Sequence, residues 1–311
     1  MQRRILELDY LKAIFIILMI AFHFVYISES YPYAKQVVYT FHMPGFLIIS
    51  GYLMNIHKPW KDFVKCLLGY AVPYIVMEIG YIVMASALPI KEHIDHLTAS
   101  TFIEKLFIHP IGPYWYLQTL LICGGTYALV FRLLPMKTIS KIILLGIIYH
   151  LISNGLGTMS IACSLYFLSG VIIRQSGIPF TKVFQSSSIA IIAFVLLALN
   201  PKNLLMEVSG GVLIVYLIIS GILFFYKHLN QRVCTFFLFL GRNTMPLFLF
   251  SPIFTFLCKP LVPVLLFDNT GVIFLFLSLL ICISGSLVVE YVIDKTGLSY
   301  YFYAQKTSIP E

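Results

Sequence analysis

Residues 12–26 read KAIFIILMIAFHFVY, an apolar run opened by a cation, Lys12, and carrying one imidazole, His23, near its far end. An ionisable group inside a membrane helix is costly and marks a functional position by default. Eleven positions separate the two residues. On a helix that is about three turns, roughly 16 Å along the axis, and close to the same face. The spacing puts a cation at the inner interface and an imidazole beyond the midplane, both turned toward one cavity. The same residues also fit a plainer role, with Lys12 snorkelling as an anchor and His23 making a helix–helix hydrogen bond.

The surrounding composition decides the class. Of 311 residues, 59% are hydrophobic and 11% charged. The mean hydropathy is +0.92, whereas a soluble domain carries about 25% charged residues. This predicts an all-α polytopic membrane helix bundle of about ten transmembrane helices, in a single domain over 1–311 and embedded in a lipid bilayer. The net charge of +8 records loop topology rather than nucleic-acid binding. The six cysteines are scattered through apolar segments with no CxxC pair, so neither a zinc site nor a disulfide framework is expected. Arg3, Arg4 and the first apolar run imitate a signal peptide, but the run nearly spans a bilayer and many spans follow, which predicts an uncleaved first helix.

Taken in order, the apolar runs predict spans over 11–28, 36–55, 66–87, 113–131, 142–152, 159–173, 184–199, 208–226, 244–258 and 272–293, with a short amphipathic piece over 231–240 before the last two. The fifth is shorter than a bilayer requires. With ten spans and a cytoplasmic N-terminus, Lys35, Lys91, Lys105, Lys202 and Lys259 lie outside and the other sixteen of the 21 cations lie inside. That asymmetry supports both termini being cytoplasmic. The polar stretch 88–112 is long enough to expect local structure in it.

Several side chains can carry chemistry. An anionic cytosolic cosubstrate needs inner cations, and Lys12, Lys58, Lys61, Lys65 and Arg242 supply them; each also fits an ordinary positive-inside residue. A neutral imidazole is a general base suited to neutral pH, and His23 and His42 both qualify. Pro44, two residues after His42, is placed to open the backbone there. Glu78 is a further buried-charge candidate whose partner the sequence does not name. Glu290 and Asp294 read as interfacial. Glu92, His93, Asp95 and His96 read as a solvated loop rather than a metal site, and no metal is expected. Tyr114, Trp115 and Tyr116 fit either a platform for a sugar ring or an interfacial aromatic belt.

Four stretches together resemble acyltransferase family 3, the integral membrane O-acyltransferases. LDYLKAIFIILMIAFH (8–23) resembles the family's first helix, marked by an Arg or Lys, ten residues and a His. FHMPGFLIISGYL (41–53) is similar to the second helix of the branch that acetylates sugars. WYL (115–117) resembles a Trp-Phe-Leu element, and LGRNTMPLFLF (240–250) a late Gly-Arg-Asn motif. Two features depart from the pattern: Ser251 stands near where many relatives have a histidine, and Lys61 and Lys65 stand for paired arginines. The chain ends soon after the tenth expected span, so no fused esterase-like domain is expected.

The resemblance implies a multi-pass enzyme of the inner cell membrane that moves an acetyl group from acetyl-CoA to a carbohydrate hydroxyl of a surface polysaccharide or its precursor. No cofactor is permanently bound in that reading, and a homo-oligomer is left open. It implies His23 as general base, His42 holding the acceptor or assisting, and Lys12 with Lys61, Lys65 and Arg242 on the donor. Tyr114, Trp115 and Glu78 are then expected at the acceptor. A transporter or flippase for lipid-linked sugars would use the same intramembrane His and Glu as relay or substrate contacts. A structural subunit of a polysaccharide assembly is the third reading.

Overall fold

In the computed structural model, residues 4–88 and 92–304 are described, and the regular elements among them are all helical. Arg3, Lys91 and Lys306 of the charge asymmetry lie outside the described residues. The helices are α1 (Leu6–His23), α2 (Val25–Ser30), α3 (Pro32–Leu53), α4 (Trp60–Ala87), α5 (Ala99–Phe107), α6 (Trp115–Leu133), α7 (Thr138–Leu156) and α8 (Ile161–Gln175). They continue as α9 (Phe180–Val183), α10 (Ser188–Ala198), α11 (Ser209–Tyr226), α12 (Gln231–Arg242), α13 (Thr244–Leu257), α14 (Leu261–Val264), α15 (Val272–Lys295) and α16 (Ser299–Phe302).

Five helices are long and apolar enough to cross a membrane on those two properties alone, and six if α12 and α13, bent by 79° at Asn243, form one span. Three of the other expected spans have identifiable reasons for standing apart. α1 carries Glu7, Asp9 and Lys12 in 18 residues, and α8 and α10 have only 15 and 11 residues. α7, expected to be short, runs for 19 residues and ends on Gly157 in the left-handed region, a common helix stop. The expected span 184–199 is shortened at its start: residues 184–187 are not helical, and the Ser187 hydroxyl caps α10 by accepting from the Ala190 amide. The first helix stops at His23 rather than near Ser28, since Phe24 takes an extended conformation before α2. The polar stretch 88–112 holds α5, whose Thr98 cap accepts from Thr101.

The described residues fall into two compact units, with the division inside α3 between Phe46 and Leu47 and again at Gly177 and Thr296. In the first, α1 is the central strut, packed on α12, α13, α11 and α15. Tyr10 sits between Tyr226 at 5.1 Å and Phe237 at 5.5 Å, and Phe15 between Phe41 at 6.1 Å and Phe46 at 5.6 Å. α15 begins where Asp268 collects the Thr270 hydroxyl and the Ile273 amide, hydrogen bonds that hold its carboxyl below the ordinary range.

In the second unit α4 packs on α6 and α5, and α7 packs on α6 and α8. Here Gly51 and Gly170 face each other: a Cβ on Gly51 would meet the Phe167 carbonyl, and one on Gly170 the Ile48 carbonyl. Small residues at such a crossing let two membrane helices approach backbone to backbone. Gly170→Ala is therefore expected to cost about 1–3 kcal/mol, the usual cost of overpacking. Gly80→Ala on α4, with nothing within 4 Å of the added methyl, is expected to be neutral or stabilising. Thermal unfolding in detergent checks the pair; equal melting temperatures would sink the close-approach argument.

Candidate active site

The first unit gathers ionisable groups at both ends of α1. At its start, Asp9 is buried and ringed by cations. The Arg4 Nε lies 2.6 Å from one carboxylate oxygen, the Lys12 Nζ lies 2.9 Å from the other, and the Arg242 Nε lies at 4.0 Å. Lys12, expected at the inner interface, is ion-paired with Asp9, and its side chain is 18% exposed. Three cations around one carboxylate leave two positive charges in surplus. The bend at Asn243 delivers Arg242 to this place, and Gly241 makes the approach feasible. A Cβ there would collide with the Asp9 carbonyl. Asn243 is itself buried. Its Nδ2 donates to the Phe239 carbonyl at 2.8 Å, and its Oδ1 has no hydrogen-bond partner among the described residues.

At the far end of α1 stands His23, which is exposed, while His42 on α3 is buried. The His23 Nδ1 is 2.6 Å from the Met19 carbonyl and the His42 Nδ1 is 2.8 Å from the Val38 carbonyl. A carbonyl only accepts, so in each neutral ring Nδ1 carries the proton and Nε2 keeps the lone pair. Both imidazoles are therefore set as proton acceptors at Nε2. The arrangement comes from the helix itself, one turn back along the chain, and His228 adopts it too with the Phe224 carbonyl at 2.9 Å. What distinguishes the pair is Tyr39. Its ring centroid lies 5.2 Å from that of His42 and 6.3 Å from that of His23, and its hydroxyl donates to the Phe22 carbonyl at 3.3 Å. α3 runs unbroken through Pro44, so the expected opening of the backbone beside His42 is not formed; the helix accommodates the one amide hydrogen bond that proline cannot donate.

The second unit holds the remaining sequence candidates. Glu78 is fully buried on α4. Its Oε1 accepts from the Ile111 amide at 2.7 Å, and its Oε2 has no hydrogen-bond partner among the described residues. Glu92 accepts from the next amide, that of Gly112, at 2.5 Å. Two carboxylates thus hold the turn that leads into α6, and Gly112 takes a positive φ of 66°. Tyr114 is buried against Tyr81, ring centroids 6.0 Å apart, while Trp115 is half-buried against Tyr116 at 6.4 Å. Lys61 and Lys65 are exposed one turn apart at the start of α4. Beside them in this unit, Arg132 lies over the rings of Trp60 at 5.2 Å and Phe63 at 4.8 Å and donates to the Lys58 carbonyl at 2.7 Å. Glu290, expected at the interface, belongs instead to the first unit and is fully buried in α15.

So the structure brings Lys12 together with Arg242, and His23 together with His42. It places Glu78 near Tyr114, and leaves Lys61 and Lys65 on an exposed helix start. The sequence reading gave no site role to Asp9, Arg4, Tyr39 or Arg132. Asp9 with Lys12 and Tyr39 with His42 each sit three apart on a helix, a spacing that marks neighbours. Contacts such as Asp9 with Arg242 carry no local signal.

The fold and these groups define an all-α integral membrane protein with ionisable side chains at both ends of its central helix. Over residues 5–291 the chain matches the model of a family described as an acyltransferase domain. That covers most of its length, and the protein belongs to acyltransferase family 3 and is a membrane acyltransferase. No curated protein and no solved structure matches it significantly.

Proposed function

We propose that the protein is an O-acetyltransferase of the inner cell membrane, taking acetyl from cytosolic acetyl-CoA and passing it to a carbohydrate hydroxyl of a surface polysaccharide or its precursor. The observation that carries this reading is the pair of imidazoles with Nε2 kept as acceptor, on a helix whose other end holds two surplus positive charges. Phosphates of the donor dock at Lys12 and Arg242 as charge-assisted hydrogen bonds. About 16 Å of α1 separates Lys12 from His23, a span for an extended pantetheine arm. His23 takes the proton from the acceptor hydroxyl as its oxygen attacks the thioester carbon. The C–O bond forms, the C–S bond breaks, and the leaving thiolate is protonated from the imidazolium. Lys61 and Lys65 add inner positive charge, and both termini are cytoplasmic.

Labelled acetyl-CoA supplied to membranes containing the protein tests the reaction. The expected result is label in the surface glycan, with a mass increase of one acetyl group per modified residue, and none in membranes lacking the gene. An unlabelled glycan of identical mass in both membranes would overturn the proposal.

A further inference from the structure

We propose that a cavity of about 340 Å³ against α3, beside the histidine pair, is where the acceptor saccharide docks. This rests on the acetyltransferase reading and names a site within it. One face of α3 supplies a wall through Lys35, Gln36 and Tyr39, and the segment 204–207 supplies the opposite wall, ending in the exposed Glu207. The Thr40 hydroxyl ties the two walls by donating to the Leu204 carbonyl at 2.8 Å.

Tyr39 is the link to chemistry. The ring that forms part of the cavity is the ring that lies against both His42 and His23. A molecule filling the cavity is therefore one aromatic side chain away from the two proton acceptors. The lining matches a sugar better than a phosphorylated donor. The Glu207 carboxylate only accepts hydrogen bonds, the Lys35 ammonium only donates, and the Gln36 amide does both, which suits an array of hydroxyls. Tyr39 adds an aromatic surface for the C–H face of a ring, and Lys35 Nζ lies 5.5 Å from its centroid. One cation and one carboxylate give no net charge, in contrast with the surplus of two at Asp9. The volume is at the low end of ligand sites, about 300–1,000 Å³, room for a short piece of glycan rather than for a nucleotide-bearing thioester. Tyr114, the earlier candidate platform, is buried.

Two measurements test the site. With purified full-length protein, acetyl-CoA and de-O-acetylated polysaccharide from cells lacking the gene, Glu207→Gln and Gln36→Ala are expected to raise the acceptor KM at least tenfold. The KM for acetyl-CoA is expected to stay within twofold. Glu207→Cys is expected to react in intact cells with a membrane-impermeant maleimide, above the background of the six native cysteines. It is expected to be protected either by that polysaccharide or by a lipid-linked oligosaccharide extract, and the protecting probe identifies the source of the saccharide. Protection by neither, or wild-type acceptor KM values in both variants, would overturn the site. If the wild-type protein transfers no acetyl at all, it is the acetyltransferase reading that fails. Maleimide protection by either saccharide would still support the cavity as a saccharide site.

Discussion

His23→Ala is expected to lower acetyl transfer by at least about 100-fold while the protein still inserts in the membrane at the wild-type level. General-base catalysis by a positioned side chain contributes about 10²- to 10⁴-fold, and the alanine variant removes all of it. Insertion is expected to survive because His23 is exposed at the last residue of α1, outside the packing that Phe15, Ile16 and Ile20 make in the buried part of the helix. His42→Ala provides the contrast. His42 is buried with Tyr39 beside it, so its loss removes packing as well as a proton acceptor. Its expected signature is a raised acceptor KM together with reduced thermal stability. Transfer rates from labelled acetyl-CoA, normalised to protein in the membrane, decide the matter. Wild-type transfer by His23→Ala would sink the assignment of the base. A loss confined to His42→Ala would move the role to α3.

The contrast between what was readable in the chain and what was not follows helix geometry. The Lys12 and His23 spacing survives because α1 is unbroken from Leu6 to His23, and a continuous helix converts sequence separation directly into distance. The all-α membrane bundle was legible for a similar reason, since long apolar runs need no partner to be recognised. The breaks were harder. α1 ends at His23, where Phe24 turns extended inside an apolar run, and the span expected over 184–199 becomes helical only from Ser188, after the non-helical, mostly polar residues 184–187. The contacts of Glu78 were not legible at all. Its acceptor contact is with the Ile111 amide, 33 positions away, and depends on the path of a loop that hydrophobic periodicity does not constrain. Asp9 lies between these cases. Its bond to Lys12 is local, but its approach to Arg242 requires the bend at Asn243 and the missing side chain of Gly241.

Asp9→Asn is expected to destabilise the protein and to raise the KM for acetyl-CoA about tenfold, although it makes the donor end more positive. Two effects oppose each other here. Removing the carboxylate raises the surplus charge from two to three, which by attraction alone would tighten the hold on a phosphate. It also releases Arg4, Lys12 and Arg242 from the group that fixes them, and it leaves the Lys12 ammonium, on a side chain only 18% exposed, without its close counter-ion. Breaking a buried ion pair costs about 3–5 kcal/mol. Arg4 and Arg242 have side chains 48% and 35% exposed and lose little, as exposed pairs contribute about 0–1 kcal/mol. The Lys12 loss therefore sets the scale, at about 3 kcal/mol, with the lower end chosen because some water still reaches it. Positioning outweighs added charge because phosphate recognition by these side chains depends on hydrogen-bond geometry as well as field, and because Gly241 brings α12 onto the Asp9 backbone at this point. Steady-state kinetics with varied acetyl-CoA, alongside thermal unfolding in detergent, separates the two effects. A lower KM for acetyl-CoA in Asp9→Asn would show that Asp9 competes with the donor's phosphates, and would sink its role as the residue that positions Lys12 and Arg242.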